Sequence, residues 1–153
     1  MKNIIVTCFF VLMQLGILVH AQTNTTTDIY QKSQDGYACF RIPAIVKSKA
    51  GTLLAFAEAR KNSCSDTGNI DLVVKRSEDG GKTWSRIITV WDDGDNVCGN
   101  PSPIVDQETG RIILVSCWNL GEDHEKQIID KTSKDSRRVY VPVSYTHLTL
   151  PTT

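Results

Sequence analysis

Net charge is the first thing this sequence lacks: Lys and Arg number 17, and so do Asp and Glu. A surface without excess charge presents no field that would gather nucleic acid or an anionic membrane. Small molecules and glycans stay open as ligand classes, with no argument yet for either. C-x-x-C pairs and closely spaced histidines are also missing, which excludes the common zinc patterns. Apolar residues at helical spacing are nearly absent, so a helical bundle is excluded too. Finally, the longest apolar run, Ile4 to Val19, is short for a membrane span.

What is present begins with that run. Lys2 supplies a positive start, and Val19-His20-Ala21 forms a plausible cleavage site. The pattern predicts a secretory signal peptide over residues 1–21, hence a chain that is secreted, periplasmic or extracellular, with no membrane span after cleavage. Cys8 lies inside the run and is followed by no lipoprotein signal. A polar spacer, 22–36, comes next. Cys39, Cys64, Cys98 and Cys117 remain in the mature chain. Three pairings are possible, and small buried thiols or one disulfide would each suit an exported protein.

Short apolar or alternating runs separated by turn residues predict an all-β chain of 153 residues, long enough for a real core. Strands are expected at Ala44 to Lys47, Thr52 to Arg60, Ile70 to Arg76 and Trp84 to Val90. The turn "SEDGGKTW" at 77–84 precedes the last of them. Asp79 can bond its own backbone there, Gly80 and Gly81 permit positive φ, and Trp84 offers a large apolar face. The plan then repeats. "PAIVKSKAGTLLAFAEAR" (43–60) and "PIVDQETGRIILVSCWN" (103–119) each run from a proline through a β-branched stretch and a glycine turn into a long strand. Repeated four-stranded sheets predict a β-propeller, with two hairpins of a sandwich as the alternative. Arg137 to Val141 reads as the third strand of the second module. The turn expected after it is absent, and "PVSYTHLTLPTT" resembles translated cloning or adaptor sequence. The natural sequence is therefore expected to depart from this chain after Val141, making 142–153 a non-native tail.

Several of these segments together resemble the sialidases (neuraminidases), in particular their bacterial secreted branch. "CFRIPAIV" (39–46) is similar to the family's F/Y-R-I-P motif. "SEDGGKTW" fits its Asp box, S-x-D-x-G-x-T-W, at Ser77, Asp79, Gly81, Thr83 and Trp84. "AFAEAR" (55–60), "SDTGNIDLVVKRS" and "GNPSPIVDQETGRIILVSCWNLGED" (99–123) add to the likeness. The resemblance implies that 37–141 is the first one to two blades of a six-bladed sialidase-type β-propeller. The whole protein would then be a retaining exo-sialidase that removes terminal sialic acid from glycoproteins, glycolipids and oligosaccharides. It calls for no cofactor and no metal. A non-catalytic Asp-box propeller that binds glycans or proteins is the alternative.

The resemblance also carries over to single residues. Asp79 and Trp84 would brace a hairpin away from the catalytic centre. Arg41 would be the first of three arginines that clamp the sugar's carboxylate; a guanidinium on a rigid strand can grip it with two parallel hydrogen bonds. Glu58 and Arg60 share a strand face, and Arg60 would line the pocket, touching substrate or the acid. Asp66, in the polar loop after Arg60, takes the place of the general acid/base. Burial would raise its pKa and nearby arginines would lower it. Asp71 is the rival carboxylate and looks structural. The tyrosine nucleophile, its glutamate and the other two arginines lie later in the family's chains; Tyr30, Tyr37, Tyr140 and Tyr145 match none of those contexts.

Overall fold

The computed structural model describes residues 26–141. The expected signal peptide at 1–21 and the expected non-native tail at 142–153 lie outside the described residues. Strand β1 (Cys39–Lys47), β2 (Leu53–Arg60), β3 (Ile70–Ser77) and β4 (Ile88–Trp91) form an antiparallel meander. A second meander follows: β5 (Val97–Val105), β6 (Ile112–Asn119) and, after the short helix α1 (Glu125–Ile129), β7 (Arg138–Tyr140). A single parallel pair, Ile70 with Val97, joins the two. These are β-propeller blades, the first with four strands and the second with three among the described residues.

Alternation along β2 decides what each face of the first blade does. Leu54 and Phe56 point one way and join Leu72, Val74, Cys98, Leu114 and Trp118 in the core between the blades. Each fully buried side chain of this size contributes about 1.5–3 kcal/mol. Glu58 and Arg60 continue the same face, so the apolar stripe ends in a buried ion pair. On the opposite face Ala57, Ala59 and Val73 are small enough to admit Tyr37, Tyr30 and Phe40. Tyr30 also donates from its hydroxyl to the Ala55 carbonyl at 2.7 Å.

Two sequence-based boundaries shift. Strand β1 starts before Pro43 rather than after it, because a bulge between Arg41 and Ala44 absorbs the missing N–H. Strand β4 starts at Ile88, not Trp84. The indole of Trp84 folds back to donate to the Gly81 carbonyl at 3.1 Å, and Ser85 bonds the Arg76 backbone, so residues 84–87 stay irregular. The third strand of the second blade forms at Arg138–Tyr140, close to its expected place.

The repeat is real but its alignment changes. Strand β5 carries the same bulge as β1, between Gly99 and Ser102. In each, a residue of positive φ precedes a proline: Ile42 (φ 52°) before Pro43, Asn100 (φ 53°) before Pro101. Pro43 therefore corresponds to Pro101, not Pro103. The turn in the second hairpin, 106–111, is one residue longer than its counterpart, 48–52. Positive φ at a β-branched residue such as Ile42 costs roughly 1–3 kcal/mol, and such strain tends to collect at functional sites.

The cysteines divide. Cys39 and Cys64 form a disulfide. Cys98 sits in the core as a free thiol, pushed up to about 12 chiefly by burial and secondarily by the charge of Asp93, and is chemically quiet. Cys117 is free and half-buried.

At the far end of β3, Asp79 accepts from the Thr83 hydroxyl and amide, the Ser77 hydroxyl and the Lys82 amide. These bonds, Thr83's first, hold its carboxyl far below the ordinary value. A depressed native pKa gives stabilisation that is present above the unfolded value of about 3.9 and lost as pH falls toward the native one. The Lys82 and Thr83 amides should thus exchange faster in Asp79→Asn than in wild type at neutral pH. Compared at matched pH, that difference should shrink as acid protonates Asp79.

Candidate active site

The site is built at the end of β2, where the apolar stripe gives way to Glu58 and Arg60. Arg60 is 2% exposed, so its charge must be met inside the protein. All five of its N–H groups are engaged. Nε and Nη2 donate to Glu58 Oε2 at 3.2 and 2.6 Å. Nη1 donates to the Cys64 and Ser65 carbonyls, both at 2.7 Å. The remaining Nη2 proton faces Asp66 Oδ1 at 2.7 Å. A bare surface pair would be worth little; the Glu58–Arg60 pair is buried and saturated.

Glu58 has a second oxygen, and it reaches the other blade. Oε1 accepts from the Asn100 amide at 2.9 Å. The β5 bulge turns that amide toward it, and Gly99 leaves the space. A Cβ on Gly99 would stand 2.5 Å from Glu58 Oε1. One carboxylate therefore fixes Arg60 within its own blade and links that blade to the next.

Arg41 approaches the same point from the β1 bulge. Its Nη1 lies 2.8 Å from Asp66 Oδ1, the oxygen that Arg60 also holds. The three residues singled out in the sequence, Arg41, Arg60 and Asp66, are thus brought together. Arg41 and Asp66 are accessible, with side chains 43% and 67% exposed, while Arg60 stands behind them. Of the two opposing influences on Asp66, the arginines prevail. The hydrogen bond from Arg60 is the largest, with the charges of Arg60, Arg41 and Arg137 adding to it, and the carboxyl sits below its ordinary value despite some burial. Asp71 lies on the other face of β3, where the Tyr37 hydroxyl donates to Oδ2 at 2.6 Å. Burial raises its pKa.

A cavity of about 180 Å³ opens between the blades, lined by Glu58, Arg60, Asp66, Asn100, Asp123 and Arg137 among others. The second blade's share of it was not read from the sequence. Asn100 was discoverable, since Asn100-Pro101 mirrors Ile42-Pro43 in the repeat. Arg137 carried no local signal: its Nε donates to the Asn119 side-chain oxygen at 3.0 Å, across the sheet from a different strand. Asp123 is buried and accepts the Lys134 and Asp135 amides, which makes it a brace for the loop before β7.

The chain as a whole has relatives among known proteins. No protein-family model matches the chain. An exo-alpha-sialidase of Aspergillus fumigatus is 38% identical over 126 residues, 71% of this chain and 31% of the relative. A sialidase of Bacteroides fragilis is 36% identical over 101 residues, 60% of this chain and 19% of the relative. The chain is related to the sialidases. Among solved structures, a Hadza microbial sialidase superposes with a TM-score of 0.53 at 32% identity, over 58% of this chain and 19% of that one. A Trypanosoma rangeli sialidase mutant, at 18% identity and a TM-score of 0.52 over 75% of this chain and 22% of that one, shares the fold. This chain thus spans about a third or less of each of these relatives.

Removing Glu58 strands a buried guanidinium, so Glu58→Ala should destabilise the protein by about 3–5 kcal/mol in chemical denaturation. Gly99→Ala should also destabilise it, because Glu58 Oε1 must give up either the Asn100 amide or its place beside Arg60.

Proposed function

We propose that the complete protein carrying this chain is an exported exo-sialidase that hydrolyses terminal sialic acid from glycoconjugates with retention. The observation that supports this reading is Asp66 Oδ1 shared between Arg41 and Arg60 at the mouth of the inter-blade cavity. Arg41 is accessible and already holds a carboxylate, which is the task of a clamp for an anionic sugar. Arg60 has no donor to spare and acts behind Asp66 as its positioning residue.

The chemistry divides accordingly. Substrate places its carboxylate on Arg41, which loosens that arginine's hold on Asp66 and sets a second negative charge beside it, and both raise its pKa. As the glycosidic bond breaks, its electron pair stays with the leaving oxygen, which takes the proton from Asp66. The Asp66 carboxylate then takes a proton from water as the water oxygen bonds to the anomeric carbon and the bond from that carbon to the nucleophile breaks, its electron pair returning to the nucleophile oxygen. By resemblance, the tyrosine that carries the sugar between these steps, its glutamate and two further arginines belong to blades beyond this chain.

Replacing Asp66 by Asn in the complete protein should lower turnover of a natural sialoside by about 10²–10⁴-fold, the usual contribution of a general acid. Near-normal turnover would remove Asp66 from the mechanism. Residues 22–141 expressed alone should show no sialoside hydrolysis, since two blades leave open sheet edges and lack the nucleophile. Turnover by that segment would overturn the assignment of the missing parts.

A further inference from the structure

The loop that carries Asp66 has almost nothing apolar to hold it. Residues 61–66 are all exposed. Its ends are tied by backbone bonds, Lys61 to the Asn69 carbonyl and Gly68 to the Gly121 carbonyl, at 3.0 and 2.7 Å. Between those ends, two anchors lie on the segment just before Asp66. One is Arg60, whose Nη1 takes the Cys64 and Ser65 carbonyls. The other is the disulfide from Cys64 to Cys39.

The placement of that disulfide is specific. Cys39 opens β1 and is the register partner of Arg60 across the sheet. It stands two residues before Arg41, and Cys64 stands two residues before Asp66. The cross-link therefore joins the strand that presents the arginine to the loop that presents the carboxylate, immediately beside the point where the two meet at 2.8 Å.

We propose that the Cys39–Cys64 disulfide is a positioning device for Asp66, holding the loop against Arg60 so that the carboxyl stays within reach of the leaving oxygen. The inference rests on the sialidase reading and deepens it. Without the cross-link, the loop between its tied ends is left to Arg60 and to the exposed Arg41–Asp66 pair, and Asp66 spends much of its time away from the bond to be broken. Small displacements of a catalytic group carry large rate losses.

The test compares two substrates in the complete protein: a natural sialoside, whose leaving group needs a proton, and an aryl sialoside with a good leaving group, which needs little. In the double variant Cys39→Ser/Cys64→Ser, kcat/KM on the natural sialoside should fall about tenfold or more while the aryl sialoside stays within about twofold. The ratio is read on one sample, so a reduced folded fraction cancels. In an Asp66→Asn background the same double change should add little, because both remove one function. Equal losses on both substrates, or none on either, would show that the disulfide only staples the fold and would overturn the proposal. A wild-type protein that cleaves neither substrate would overturn the sialidase reading itself, which is a separate failure.

Discussion

The buried ion pair of Glu58 and Arg60 is the interaction on which the site depends. Two charges taken out of water cost several kcal/mol each, and only complete hydrogen bonding offsets that. Every donor of Arg60 is accordingly assigned, to Glu58, to two loop carbonyls and to Asp66. Glu58 spends its other oxygen on the amide of Asn100. The orientation of the loop that carries Asp66, the approach of the second blade and the glycine at position 99 all serve to satisfy this one pair. Asp66 is exposed, yet its position is set from behind by groups that are not.

The blades are organised around the same economy of space. The face of β2 that turns toward the second blade is apolar for Leu54 and Phe56 and charged for Glu58 and Arg60. Core and site are thus successive stretches of a single strand face. Matching bulges in β1 and β5, each a positive-φ residue followed by proline, turn the backbone at the charged end. At the other end of β3, the Asp79 turn closes the hairpin through its own local bonds. The division explains why a polar, glycine-rich turn with a tryptophan and a carboxylate has no part in the cleft. Its hydrogen bonds are spent on itself.

Much of this was legible along the chain. Alternation placed β2 and β3 within a residue and put Glu58 and Arg60 on one face, because a strand's side-chain period does not depend on its neighbours. The motif around Arg41 and the loop after Arg60 pointed to the residues that meet. Other features were not local. Trp84 looked like the start of a strand because nothing in the sequence shows an indole folding back to a carbonyl. Pro43 was paired with Pro103 because two prolines in β5 compete for the match, and only the register of the hairpin, with its longer turn, chooses Pro101.

By itself, the sequence determined the all-β architecture and the repeated module, because turn chemistry and strand period are written in neighbouring positions, and its resemblance to the sialidases singled out Arg41, Arg60 and Asp66 as the candidate residues. Tertiary structure decided which of those residues is buried, which cysteines are joined, and what the second blade adds through Asn100, Asn119 and Arg137. It also decided the direction of the Asp66 shift, where burial and arginine charge oppose each other. That balance depends on distances between side chains from different strands, and no local pattern encodes it.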